Sequence, residues 1–226
     1  MKNLLISRQA IRSNLQELRK NIDGSICADL SGDAFGMGLV ETARLLREDG
    51  VRSFAVSGVK DAARLRAAGF TQERIIMLNS FVDKAELEAL MDLKVVFTIA
   101  TSEAGVVLNG LADSRSTVVE AQLRLDTGMG RGFQLSDLDK VFSIYRYMSN
   151  IAVVGISMDF GEEQDSTKSC RERYAAFEEM LEKDEASGKF RRHIAVDDVG
   201  FETPYVLWHP NRPYLKVPKD DFGIEK

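Results

Sequence analysis

The chain has 226 residues, 44% of them hydrophobic and 29% charged, with a formal net charge of −5. That length suits one large domain or two small ones, and the composition is that of an ordinary globular protein. A mildly acidic chain lacks the clustered Lys and Arg that non-specific nucleic-acid binding needs, and no run of about twenty apolar residues is present to cross a membrane.

The N-terminus carries an apolar core too short for a secretory signal, so a cytoplasmic location is expected. Residues 7–22 then predict an amphipathic helix, with Ile11, Leu15, Leu18 and Ile22 at 4-3-4 spacing, Ser7 as N-cap and Gly24 as stop. A strand follows over 25–30, and after it the Gly-rich bend Ser31-Gly32-Asp33-Ala34-Phe35-Gly36-Met37-Gly38. Glycines there let the backbone turn tightly and approach a ligand. A helix runs over 39–47. The unit repeats with strand 53–59 and helix 60–68, strand 74–79 and a helix opened by Asp83 with Glu86 in a capping-box pattern. Next come strand 94–99 with a helix capped by Ser102, and strand 117–125 with a helix opened by Ser136 and Asp139. Strand 151–158 precedes a long helix over 167–183, and 192–196 is a further strand. All four prolines fall in the last stretch, so 199–226 reads as irregular chain, with 214–217 as a last strand. The two cysteines, Cys27 and Cys170, lie far apart without metal-ligand spacing, and two free thiols are expected.

About eight strands thus alternate with helices. The strands are continuous apolar runs, as in a parallel sheet covered on both faces. The pattern predicts a single-domain (β/α)8 barrel of the TIM-like class over residues 1–226. An open doubly wound sheet is the rival, although no G-x-G-x-x-G follows the first strand.

Three segments carry a family resemblance. Ile26-Cys27-Ala28-Asp29-Leu30-Ser31-Gly32-Asp33-Ala34-Phe35-Gly36-Met37-Gly38 resembles the cofactor-lysine segment of alanine racemases, apolar-apolar-Lys-small-Asp/Asn-Ala-Tyr-Gly-His-Gly. Arg124-Leu125-Asp126-Thr127-Gly128-Met129-Gly130-Arg131 is similar to the family's run after its fifth strand, and Val154-Gly155-Ile156-Ser157-Met158-Asp159-Phe160 to Gly-apolar-Met-Ser-His-Phe. The order and spacing of the three cover residues 1 to about 200. The resemblance implies a fold-type III pyridoxal-phosphate barrel. The family adds a C-terminal β-domain, and this chain stops where that domain is expected to begin.

The resemblance also says what each position does in the family. Pyridoxal phosphate acts as an electron sink only once its aldehyde has joined an amine. Ser31 stands at the lysine position and has no amine. Phe35 replaces a Tyr whose hydroxyl helps hold the phosphate, keeping the ring and losing the hydrogen bond. Asp159 replaces a His that packs on the pyridine ring. Val196 and Asp197 replace a polar pair near the phosphate, where a carboxylate is repulsive. Val217 falls where an Arg meets the pyridine nitrogen. Arg131 matches the Arg that contacts the substrate carboxylate, and Asp126-Thr127-Gly128 the turn that places it. Arg124 stands where relatives have a Lys open to carbamylation, and it can pair with carboxylates.

The losses point to an alanine racemase-like barrel without pyridoxal phosphate or racemase activity. Its role would be non-catalytic, binding or regulatory. The expected partners are a small amino acid or carboxylate, and a partner protein or second copy of the chain, not nucleic acid or membrane. No resident metal is expected. Two alternatives stay open. One is a different enzyme using acids in or after the strands: Asp29, Asp33, Glu120, Asp159, Asp197 and Asp198, with or without a divalent cation. The other is a diverged racemase in which Lys60 or Lys216 serves.

Overall fold

The computed structural model describes residues 6–21, 25–126, 130–158 and 206–208. Its elements run α1 (Arg8–Asn21), β1 (Ile26–Asp29), α2 (Ser31–Phe35), α3 (Leu39–Glu48), β2 (Ser53–Val56), α4 (Val59–Ala67), β3 (Arg74–Met77), α5 (Lys84–Asp92), β4 (Phe97–Ile99), α6 (Ser102–Ser114), β5 (Val119–Leu125), a 3-10 turn (Leu135–Asp137), α7 (Leu138–Tyr147), β6 (Ile151–Met158) and β7 (Val206–Trp208). The chain forms two compact units, one from Met1–Leu78 with Pro204–Lys226, the other from Asn79–Thr203.

In the first unit four parallel strands lie in the order β3-β2-β1-β7. Cys27 pairs with Ser53 on one side and with Leu207 on the other, so β1 is hydrogen-bonded along both edges. β2 is buried throughout, Phe54, Ala55 and Val56 with no exposed surface, and β1 and β3 are buried except at Asp29 and Arg74. The helix α1 lies against α3: Ile11, Leu15 and Leu18 are buried, while Arg12 pairs with Asp49 at 2.8 Å and Arg8 with Glu48 at 3.2 Å. Ser7 caps α1, its hydroxyl accepting from the Ala10 amide at 3.2 Å. Phe54 and Phe70 meet edge to face at 5.5 Å, and the Arg47 guanidinium covers the Phe70 ring at 4.4 Å. That geometry suits the ring quadrupole on both faces.

In the second unit β4, β5 and β6 are parallel in that order. The β5–β6 register shifts between Ala121 and Gln122, then carries Arg124 opposite Ser157 and Leu125 opposite Met158. Along β5, Val119, Ala121, Leu123 and Leu125 are buried and Glu120, Gln122 and Arg124 are less so. The period of two puts these polar residues on one face. Gln122 donates to the buried Thr98 hydroxyl at 2.8 Å across the β4–β5 pair.

Most predicted elements are found with edges moved by a few residues. Three expectations need correction. Thr101, not Ser102, caps α6: its hydroxyl accepts from the Ala104 amide at 3.2 Å, whereas the Ser102 hydroxyl is buried without a partner. The N-cap residue has extended backbone, and only Thr101 has it there. Ser136 lies inside a 3-10 turn, and Asp137 precedes α7 without a side-chain cap. Finally, residues 206–208, inside the stretch predicted as irregular, form a strand. Val206, Leu207 and Trp208, good strand formers, fit between Pro204 and Pro210 and pair with β1. The predicted helix 167–183, the strands 192–196 and 214–217, and Cys170 lie outside the described residues. Among the described residues no helix is long and apolar enough to cross a membrane.

The two neighbouring hydroxyls of α6 separate experimentally. Thr101→Ala is expected to cost about 1 kcal/mol in urea unfolding, while Ser102→Ala is neutral or slightly stabilising, because it removes a buried group that makes no hydrogen bond.

Candidate functional site

In the first unit the chemistry-bearing segment begins where β1 ends. Asp29 accepts from the Ser31 amide at 2.9 Å, and the Leu30 amide donates to the Ala55 carbonyl at 2.9 Å. These bonds fix the exit direction of the chain. The next five residues, Gly32 to Gly36, all have positive φ, from 54° to 82°. The bend predicted from the glycines is therefore a turn of left-handed helix. Gly32 and Gly36 adopt it freely, whereas Asp33, Ala34 and Phe35 pay a steric penalty of roughly 1–2 kcal/mol each. Backbone hydrogen bonds offset it: Ala34 to Leu30 at 2.8 Å, Gly36 to Gly32 at 3.0 Å and Gly38 to Asp33 at 2.9 Å. Ala34 and Leu30 also have no exposed surface.

Asp33 closes the turn. Its carboxylate accepts from the Leu39 amide at 3.1 Å, at the start of α3, and pairs with Arg64 of α4 at 2.9 Å. Arg64 is itself positioned by Asp61, one helical turn earlier, at 3.3 Å. The Leu39 amide first, and then Arg64, hold the Asp33 carboxyl below the usual carboxylate range. Arg64 was not singled out in the sequence. Only its i,i+3 spacing from Asp61 hinted at a helix-surface pair, and nothing hinted at Asp33.

Ser31 heads this turn, and its hydroxyl is buried without a hydrogen-bond partner. Phe35 is 37% exposed, so its ring lies at the surface of the turn. Behind them, Cys27 is fully buried in β1. Burial pushes its thiol far up, and Asp29 adds to the shift.

In the second unit the segment after β5 folds back on the strand. The Phe133 amide donates to the Arg124 carbonyl at 2.8 Å, and the Asp126 amide donates to the Phe133 carbonyl at 2.8 Å. The buried Asp126 carboxylate accepts from the amides of Gly130 at 2.9 Å and Arg131 at 3.3 Å. Asp126 thus positions the backbone of Arg131, while the Arg131 side chain is exposed. Gly132 has φ of 120°, and a Cβ there would stand 2.5 Å from the Arg124 carbonyl oxygen. Beside Arg124, on β6, the Ser157 hydroxyl is buried without a partner.

Of the predicted acids, Asp29, Asp33 and Glu120 lie within the described residues. Asp29 accepts from the Ser31 amide, Asp33 from the Leu39 amide and from Arg64, and Glu120 lies on β5. Among the described residues no three His, Cys, Asp or Glu side chains come together as a cation site. Thr127, Gly128, Asp159, Val196, Asp197, Asp198, Lys216 and Val217 lie outside the described residues.

Asp33→Asn should lower stability at neutral pH by at most about 1 kcal/mol, because the half-exposed pair is screened by solvent. A depressed carboxyl pKa stabilises the fold above the unfolded value of about 3.9, and that contribution is lost as pH falls through the folded value. Urea midpoints of the two proteins are therefore expected to converge in acid. Gly132→Ala is expected to cost about 2 kcal/mol or more, read as a lower melting temperature, since the clash is with backbone.

A family model for the alanine racemase N-terminal domain matches residues 6–196. The alanine racemase of Methanococcus maripaludis is 28% identical over 169 residues, covering 73% of this chain and 44% of that protein. The alanine racemase of Clostridium difficile 630 superposes with a TM-score of 0.71 at 23% identity, over 77% of this chain and 48% of that one. A structure of alanine racemase from Bartonella henselae with covalently bound pyridoxal phosphate gives 0.66 at 22% identity, over 76% and 52%. The chain spans about half the length of the curated relatives it matches. The structural likenesses give the fold, an α/β barrel of parallel strands and covering helices. By that match over most of its length, the chain belongs to the alanine racemase family, through its N-terminal domain.

Proposed function

We propose that this chain is an alanine racemase-family barrel that no longer performs pyridoxal-phosphate racemisation and serves instead as a non-catalytic binding or regulatory protein. The observation that carries the reading is Ser31 at the exit of β1. The Bartonella henselae relative holds pyridoxal phosphate covalently, and a covalent link to the cofactor aldehyde needs an amine. The buried Ser31 hydroxyl cannot supply one. Among the described residues of the same unit the lysines are Lys20 and Lys60, both exposed on helices, and Lys20 is paired with Glu17. Phe35 has no hydroxyl to offer a phosphate. These residues do not fit a covalently held pyridoxal phosphate, and no catalytic step is assigned through it.

The second unit by itself offers a means of binding. Arg124 and Arg131, with the Ser157 hydroxyl buried without a partner on β6 beside Arg124, suit a small carboxylate or amino acid. Guanidinium groups take a carboxylate in a bidentate grip. The Asp126 carboxylate holds the backbone of Arg131, which reduces the ordering cost of such binding. Loss of the family's chemistry in this chain and retention of this loop are compatible, because the hydrogen bonds that hold the loop run to backbone amides and carbonyls. A cytoplasmic setting and assembly with a protein partner or a second copy belong to the same reading.

The test is spectroscopic. Purified chain mixed with pyridoxal phosphate is expected to give no imine band and no borohydride-fixed lysine adduct, and no exchange of the alpha proton of alanine in D₂O. An adduct mapped to Lys60, or measurable exchange, would return the chain to the racemases. Ser31→Lys is expected to gain the band without gaining exchange.

A further inference from the structure

The turn at the exit of β1 is a strained segment between two fixed points. Upstream, the Leu30 amide is bonded to the Ala55 carbonyl of β2 and the Ser31 amide to the Asp29 carboxylate, each at 2.9 Å. Downstream, Leu39 has no exposed surface, and the Thr42 amide donates to the Gly38 carbonyl at 3.0 Å. Between them, residues 32–36 all have positive φ, and Asp33, Ala34 and Phe35 bear side chains. Gly32 and Gly36 stand at the two ends of this run. A Cβ at either would meet nothing within 4 Å, so the backbone there has room to swing. Glycine takes φ of either sign about equally well, which suits a hinge.

Two terms work against this conformation. One is the left-handed backbone of the three residues with side chains. The other is the Ser31 hydroxyl, buried without a hydrogen-bond partner, which water would satisfy if the turn opened. Holding it shut are the burial of Ala34, the bonds of Ala34 to Leu30 and of Gly38 to Asp33, and the Asp33 carboxylate. That carboxylate accepts from the Leu39 amide at 3.1 Å and pairs with Arg64 of α4 at 2.9 Å. The side chains of the pair are 48% and 49% exposed, so water and salt reach it. Asp61 faces Arg64 as well, at 3.3 Å, and keeps the guanidinium partnered when Asp33 lets go.

We propose that residues 32–38 form a gate over the Ser31 end of β1, with the Asp33–Arg64 pair as its latch. In the closed form the turn is left-handed and the Ser31 hydroxyl is enclosed. In the open form the latch is released, residues 33–35 relax to negative φ about Gly32 and Gly36, and the hydroxyl meets water. The ends of the segment stay tied, so β1 and α3 need not move. Opposed terms of this kind place local opening well below the free energy of global unfolding. The gate governs access to this strand end whatever enters there, so it does not rest on the function proposed above.

Thiol labelling of the full chain tests this, with Ser31→Cys as the probe and Cys27 as the internal reference. Cys27 is buried in β1, which is paired along both edges, so it reacts only when the strand itself opens. Alkylation by iodoacetamide is followed by tandem mass spectrometry, which separates the two positions. Each rate is divided by that of the same thiol in the urea-unfolded chain. The S31C thiol is expected to react about tenfold faster than Cys27, through openings that leave β1 in place. Arg64→Gln is expected to speed S31C labelling about three- to fivefold, the fold-change of a half-exposed pair, and to leave Cys27 unchanged. Asp33→Ala, which also removes the bond to Leu39, is expected to speed it further. Added salt is expected to speed S31C labelling in the parent and not in R64Q. If D33A does not fold, R64Q keeps the test alive, because Arg64 is half exposed. Equal relative rates for the two thiols, S31C labelling as fast as in the unfolded chain, an R64Q rate equal to the parent's, or an acceleration shared by Cys27 would each overturn the gate.

Discussion

Everything at the Ser31 end of the first unit depends on a turn wound in the wrong hand. Three residues with side chains, Asp33, Ala34 and Phe35, are held at φ values near 55°. An L-residue there brings its Cβ against the following carbonyl. The arrangement persists because both of its ends are tied. At the entrance Asp29 and the Ala55 carbonyl hold the chain, and at the exit Asp33 bridges the first amide of α3 to Arg64 of α4. Asp33 thus joins α2, α3 and α4 through one carboxylate. Strain of this kind lasts only where its surroundings over-determine it.

That economy explains why the scaffold outlives its chemistry in the proposed reading. The turn makes no demand on the side chain of Ser31, whose amide rather than hydroxyl is used. Replacing an amine by a hydroxyl at this point leaves each of the described backbone bonds intact. On β5 the same separation holds. Asp126 binds backbone amides, and Gly132 allows the loop to pass within van der Waals reach of the Arg124 carbonyl. Neither depends on what Arg131 touches. Folding and function are written in different atoms here, so one can change while the other is kept.

The sequence was most legible where burial sets the pattern. Apolar runs mark β2, β3, β4 and β6 because both faces of a parallel sheet are covered, whereas β5 alternates, and Ile11, Leu15 and Leu18 mark α1 because a single stripe is buried. It was least legible where backbone geometry or a distant partner decides. Thr101 and Ser102 are equally good caps by type, and only the extended conformation of Thr101 chooses between them. Glycines flag a bend but not its hand, so the left-handed turn of Gly32 to Gly36 was not foreseen. The Asp33–Arg64 pair joins residues 31 positions apart, and no local rule connects them. Val206 to Trp208 was hidden by flanking prolines, since three residues make too short a run to outweigh them. At the candidate site, the position of Ser31 was readable from the family pattern, whereas the exposure of the Arg131 side chain was not.

The burial of Cys27 has a consequence for the protein's vulnerability to oxidants. Thiolate, not thiol, is the reactive species, and this sulfur is both kept protonated and enclosed in a strand paired on its two edges. Peroxide or a disulfide donor can reach it only in molecules that have already opened around β1. Once modified, the sulfur no longer fits the space it left. Damage at this atom therefore traps the opened molecule and removes it from the folded population, turning a brief opening into a permanent loss.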